Sequence, residues 1–205
     1  MAAPRAARPA FTGAPLLTAE ASYDGLSFTG QDFSGQSGAL VMIARSTLAQ
    51  VNLAGTRLPR LDLDEVRLES CDLANAVWER ARLKASLEGC RMVGLNLSGA
   101  LLRHTVFQGC NGAFAQFGSV VCKVARFLDC DLHGADFQQA DLRGVVFQGC
   151  NLGEAQLSFA RLEGTDLRGS DLKGIRVRIE DLKGAIVDPG QAVYLSGLMG
   201  LKVQP

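Results

Sequence analysis

Large apolar residues recur every five positions along most of this chain. The centres of the pattern begin at Phe28 and Phe33 and run through Ile43, Leu48 and Leu53 to Leu83. After one four-residue step they resume at Leu87 and continue to Val187. Of the 33 centres in this register only Gly38 and Gly112 are not apolar, Cys122 counting as a small apolar residue. Two positions before each centre stands a small residue. From Ala85 to Ala185, 18 of the 21 such residues are Ala, Cys, Ser, Thr or Val, the exceptions being Leu95, Ile175 and Glu180. The residue just before the centre is often Asp or Asn, and the residue two places after it is often Gly.

A period of five suits neither ordinary element. A helix turns about 100° per residue, so a five-residue step would rotate the apolar stripe by about 140° each time. A straight strand alternates its faces, so odd steps would send every second centre to solvent. The pattern buries all its centres only if the chain turns a corner once per repeat. Four corners close a square coil of about 20 residues, with the centre and the preceding small residue both pointing inward. Gly eases the corner by accepting unusual dihedrals, and Asp or Asn bonds to nearby backbone there. The expected fold is therefore all-β, a quadrilateral β-helix of about eight coils.

The stretches ADFQQADLRG (Ala135 to Gly144) and TDLRGSDLKG (Thr165 to Gly174) resemble the repeat of the pentapeptide repeat proteins, roughly A-(D/N)-L-x-x. The resemblance covers about Leu26 to Asp188 and implies a right-handed coil. It divides the chain into a partly disordered leader over 1–22, the β-helix over 23–188, and a C-terminal helical cap and dimerisation segment over 189–205.

Stacking puts residues 20 apart in one column, about 4.8 Å from their neighbours. Cys90, Cys110, Cys130 and Cys150 then form one inner ladder, and Cys71 joins it because the four-residue step shortens its coil by one. Phe107, Phe127 and Phe147 form an aromatic stack beside it. The cysteines are expected to be small buried hydrophobes with reduced thiols. A straight ladder cannot bring four sulfurs to one metal, and its spacing exceeds the ~3.8 Å between Cβ atoms that a disulfide needs.

The pattern weakens at 35–46, around Gly38, and at 111–123, around Gly112, where a bulge or flattened face is expected, the alternative being a deviation that contacts a partner. Beyond Val187 the period is lost. Asp188 and Pro189 make a good helix N-cap and first helical position, and Ala192, Leu195, Leu198 and Met199 have helical apolar spacing. An open coil stack exposes a strand edge that needs covering. Val193, Tyr194, Leu195, Leu198, Met199 and Leu201 exceed what a small cap would bury, so the expectation is a cap that also closes a homodimer.

Composition narrows the function. Twenty-one basic residues balance 21 acidic ones, leaving a formal net charge of zero, so no global field draws nucleic acid and direct binding to it is not expected. No apolar run approaches the ~18 residues of a membrane helix, and no secretory signal is legible at the N-terminus; a cytoplasmic protein is expected. His104 and His133 lie at outward positions on different coils, and no catalytic or phosphate-binding motif can be argued. The chain is expected to be no enzyme, with neither cofactor nor small-molecule substrate. Two surface groups are candidates for partner contact. Lys84, Arg103, Lys123, Arg143 and Lys183 share a mostly basic column, and Asp129, Asp131, Asp136 and Asp141 lie on other faces. The resemblance extends to the family members that bind DNA gyrase or topoisomerase IV and protect it from poisons, as rod-shaped dimers whose acidic surface imitates duplex DNA. This chain matches them in length, uninterrupted coil and C-terminal segment, and departs from them in its neutral charge. The alternative reading is a scaffolding module with no topoisomerase role.

Overall fold

The computed structural model describes residues 9–10 and 16–203. Nine strands form one parallel sheet: β1 (Ser22–Asp24), β2 (Ser27–Thr29), β3 (Met42–Ala44), β4 (Thr47–Ala49), β5 (Asp62–Glu69), β6 (Arg82–Glu88), β7 (Leu101–Gln108), β8 (Val121–Leu128) and β9 (Val146–Gln148). Every pairing is parallel and joins residues one coil apart. One column runs Ser27, Thr47, Arg67, Ser86, Val106, Arg126, Val146, Asp166 and Ile186, each paired with the next, which is eight steps of the solenoid. Two further columns are stitched by single bridges, one from Asp32 to Asp171 and one from Ser37 to Arg176. With the column that starts at Ser22, they make four faces. The expected quadrilateral β-helix is the fold.

The corners are where the chain breaks the usual backbone rules. Residues there adopt left-handed φ, as at Gly144 (φ 70°), His104 (φ 46°) and Phe114 (φ 58°). The four-residue step falls at one corner. The pairing of β5 with β6 shifts between Asp64 and Val66, so Glu65 has no counterpart in the 19-residue coil that follows. The register then shifts again where β7 restores a full corner at His104.

The core is a stack of side-chain layers. Phe107, Phe127 and Phe147 stack face to face, with centroids 4.6 and 4.9 Å apart and planes within 8° of parallel. Phe117 and Phe137 form a second stack at 4.7 Å, meeting the first edge-on at 5.7–6.2 Å. Strand spacing thus sets the ring spacing within a column, and the square cross-section sets the edge-on contact between columns, both favourable aromatic geometries.

The two irregular centres have packing reasons. A side chain at Gly38 would strike the backbone of 17–19, beginning with the Leu17 carbonyl. Leu17 itself is buried over the first coils, and its amide donates to Gln36 Oε1 at 2.7 Å. The Pro9 carbonyl also accepts from the Ser27 amide, and Ala10 bridges to Ser27. Regular packing therefore extends into the segment assigned to the leader, whose residues 1–8 and 11–15 lie outside the described residues. At Gly112 the missing side chain is replaced by Leu132 and Met92, which reach within 3.1 and 3.3 Å of where a Cβ would stand.

Helix α1 (Pro189–Leu198) covers the C-terminal end of the stack. Asp188 and Gln191 form a reciprocal capping box, with Pro189 in the first turn.

Candidate functional site

The inward columns are satisfied within the chain. Cys71, Cys90, Cys110, Cys130 and Cys150 stand on one inner column, and all six cysteines, including Cys122, are free and buried. The five ladder thiols contact backbone carbonyls. Cys110 Sγ lies 3.4 Å from the Gln108 carbonyl and 3.5 Å from that of Leu87, and Cys150 Sγ repeats the pattern with Gln148 and Phe127. Hydroxyls make the same contact in the neighbouring column, Thr105 with the Leu83 carbonyl at 2.8 Å and Thr165 with that of Leu142 at 2.7 Å. Where the small position is Cys, Thr or Ser, a weak donor ties one coil to the last. Thiol neighbours on both sides, followed by burial, hold the Cys90 and Cys130 thiols above their ordinary pKa, while the same thiol contacts lower Cys71, Cys110 and Cys150. Burial pushes Cys122 up to about 12. Thiolates, the reactive form, are therefore suppressed at Cys90, Cys122 and Cys130, and burial shields the other three from reagents. Among the described residues no group of three or more His, Cys, Asp or Glu side chains could hold a metal ion.

The Asp and Asn residues before the centres have structural work. Asp131, Asp136 and Asp141 each accept from the amide two residues on, that of His133, Gln138 and Arg143 respectively. Asn52, Asp72, Asn111, Asn151 and Asp171 do the same. Asp131 also accepts from the Asn151 side chain at 2.9 Å. Asp141 accepts from Arg143 Nε and Nη2 at 2.7 and 2.6 Å, which holds its carboxyl below the usual range. Asp129 differs from these, being an exposed corner residue at φ 52°. The candidate acidic residues therefore do not form one face, and three of the four are committed to local turns.

The basic column is also uneven. Lys84 is paired with Glu65 at 3.0 Å and Asp64 at 3.6 Å, and Arg143 is held by Asp141. Arg103, Lys123 and Lys183 are exposed and make no ion pair among the described residues. Arg103 and Lys123 face each other directly in the ladder.

The C-terminal segment divides into two sides. Leu195 is buried, and Tyr194 is half-buried, its hydroxyl accepting from the Gly174 amide at 2.7 Å. Both face the chain's own last coils, so these two of the six residues expected at a dimer contact belong to the cap. Val193, Leu198, Met199 and Leu201 are exposed, as is Val203. The contact that closes the cap is Gln191, a polar residue that apolar spacing passes over. It is buried and donates to the Leu167 and Ser170 carbonyls at 2.7 and 2.8 Å, satisfying strand-edge acceptors that the next coil would otherwise take. A glutamine after a good N-cap and Pro is the capping-box signal that marks it. No helix among the described residues is long and apolar enough to cross a membrane.

Fold and surface together define a capped repeat solenoid whose interior is sealed and whose chemistry lies on its faces and ends. A family model described as a pentapeptide repeat region matches residues 83–157, and one for pentapeptide repeats in eight copies matches residues 150–174. Residues 83–174 thus carry the repeats of the pentapeptide repeat family. Among solved structures it is similar to HetL, a pentapeptide repeat protein involved in heterocyst differentiation regulation from the cyanobacterium Nostoc sp. strain PCC 7120. That likeness is 24% identity over 83% of this chain and 91% of that one, with a TM-score of 0.52, and it shows a shared fold. QnrB1, a plasmid-mediated fluoroquinolone resistance protein, matches at 22% identity over 90% of this chain and 100% of that one, with a TM-score of 0.41. No curated protein matches.

Proposed function

We propose that this is a non-enzymatic cytoplasmic protein that binds DNA gyrase or topoisomerase IV and protects it from topoisomerase poisons, acting as a homodimer joined through its C-terminal segment. The observation that carries the reading is the end of the rod. Helix α1 seals the last coil with Gln191, Tyr194 and Leu195, yet Val193 and Leu198 on it, and Met199 and Leu201 just past it, stay exposed. A cap needs one apolar side; the second suits an identical surface on another copy, since two-fold contacts dominate homo-oligomers. Eight coils at ~4.8 Å give a rod of roughly 40 Å, and two joined end to end give roughly 80 Å, long enough to lie along the DNA-binding saddle of a two-fold-symmetric enzyme. Resemblance to the topoisomerase-protecting members of the family supports the same reading.

The neutral charge favours a second reading. With 21 basic and 21 acidic residues, and with Asp131, Asp136 and Asp141 engaged in turns, the surface lacks the acidic continuity of a DNA mimic. A protein-contacting scaffold with no topoisomerase role fits that surface. A gyrase supercoiling assay with and without a cleavage-stabilising poison separates the two. Restored supercoiling in poisoned reactions at micromolar protein supports topoisomerase protection, and its absence selects the scaffold.

A further inference from the structure

Three departures from local rules meet at one place on the rod, on strands β7 and β8. The first is electrostatic. Arg103 and Lys123 stand directly opposite each other in the ladder, an arrangement that is destabilising between like charges. On the same column Lys84 is compensated by Asp64 and Glu65 and Arg143 by Asp141, while Lys183 stands unpaired among the described residues but with no cation opposite it. Arg126, just past the corner on the adjoining face, is exposed and also without an ion pair among the described residues.

The second departure is conformational. Val124, at the corner between Lys123 and Arg126, has φ 63°. Among the described non-glycine residues with positive φ it alone is β-branched, the side-chain class for which that region is a true outlier. The later coils place Gly144, Gly164 and Gly184 at this corner. The third departure is exposure. Val124 is 63% accessible, with a cation on either side of it. Strain and repulsion held at one exposed spot point to a use outside the fold.

We infer that this two-coil patch is a docking surface for a short acidic segment of another protein that carries apolar side chains. Its cations fit carboxylates, and Val124 gives an apolar side chain something to cover. Charge distribution along the rod sets the length of the occupant. Asp62, Asp64, Glu65 and Glu88 lie on the coils before the patch, and Asp141 and Glu163 on those after it. These carboxylates are largely paired with their own cations, Asp62 with Arg82, Asp64 and Glu65 with Lys84, Glu88 with Arg67 and Asp141 with Arg143, so an extended polyanion such as a nucleic-acid backbone would run off the free cations onto charges already paired, and a short segment would not. The patch is separate from the C-terminal segment, and the inference does not depend on which protein the rod serves.

The test uses the full chain, a fluorescein-labelled short peptide of glutamates interrupted by two leucines, the same peptide with serines for leucines, and a duplex DNA oligonucleotide. The leucine peptide is expected to bind best, and more weakly as salt rises. Lys123→Glu should weaken it roughly tenfold or more, a change of about 1.4 kcal/mol, and Val124→Gly should remove its advantage over the serine peptide. Lys183→Glu, remote on the same column, should leave binding unchanged. Because Lys123→Glu also places a carboxylate opposite Arg103, it should raise the melting temperature by about 1–3 °C. Binding insensitive to Lys123→Glu, equal loss in Lys183→Glu, preference for duplex DNA over the leucine peptide, or a lowered melting temperature in Lys123→Glu would each overturn the inference.

Discussion

The Cys150 amide donates to the Ser170 hydroxyl at 3.1 Å. That hydroxyl lies 3.2 Å from the Phe147 carbonyl, the acceptor one coil on from the Phe127 carbonyl that Cys150 Sγ contacts. Ser170 thus continues the thiol column with oxygen in place of sulfur and makes the same kind of contact to backbone.

Cys110→Ser should therefore fold normally and lose no more than about 1–2 kcal/mol, since the hydroxyl inherits acceptors at Leu87 and Gln108. Thiol titration should count six free thiols after denaturation and almost none in the native protein, where all are buried and Cys122 is pushed up to about 12. Fast modification of native protein at neutral pH would contradict the packing.

Phe127 stacks between Phe107 and Phe147 and meets Phe117 and Phe137 edge-on. Phe127→Ala should cost about 3–5 kcal/mol, the range for removing a buried aromatic side chain. Phe127→Asp, which buries an unpaired charge, should prevent soluble expression. Equilibrium denaturation measures the first and expression trials the second.

Gln191→Leu keeps the volume of the plug and removes its two donors. The Ser170 carbonyl would be left unpaired beneath the helix, while the Leu167 carbonyl would keep only the Ser170 amide at 3.2 Å, a loss of about 1–3 kcal/mol for the buried group left without a partner. Hydrogen exchange should show the loss in the last coil and α1, with the central coils unchanged.

Asp188 gives the cap a pH dependence. The Gln191 amide, and then the Gly169 amide, donate to its carboxylate and hold its pKa below the ordinary value. The folded protein thus binds the proton less readily than the unfolded chain. The stabilisation is complete above the usual Asp pKa of about 3.9 and is lost as pH falls through the lower folded value. Exchange protection of the Gln191 amide should fall in that window, and Asp188→Asn should cap the helix without this site's pH dependence.

Leu198→Glu combined with Met199→Glu should yield folded monomers, because both side chains are already exposed. Leu195→Glu should instead loosen the cap, because Leu195 is buried. Light scattering after size exclusion reads the oligomer, and circular dichroism reads the fold. Wild-type protein that runs as a monomer would remove the dimer from the proposed function.

Most of the fold was legible because a five-residue period has one economical solution. Once every centre must point inward, the corners, the columns and the place of the short coil follow. The second aromatic stack, Phe117 on Phe137, is visible in the same columns, but its edge-on contact with the first depends on the angle between faces. The ends were harder to read. Helix α1 has apolar residues around its circumference, so spacing alone could not separate Tyr194 and Leu195, which face the coil, from Val193 and Leu198, which face out. That choice is fixed by how the helix lies across the last coil, and Gln191 fixes it with two bonds to backbone. The neutral carboxylate count was legible too, while the turn bonds of Asp131 and Asp136 appear only when the coil closes.

The short coil between β5 and β6 shows where this molecule accepts a change in length. Omitting the residue between Lys84 and Ala85 moves no column, because Leu87 still pairs with both Leu68 and Phe107. Insertions at the same corner, beside His104, should be absorbed in the same way. A foreign peptide spliced there would stand out from the side of a rigid rod at a known height, so this corner is the natural point at which to graft a display loop or a label.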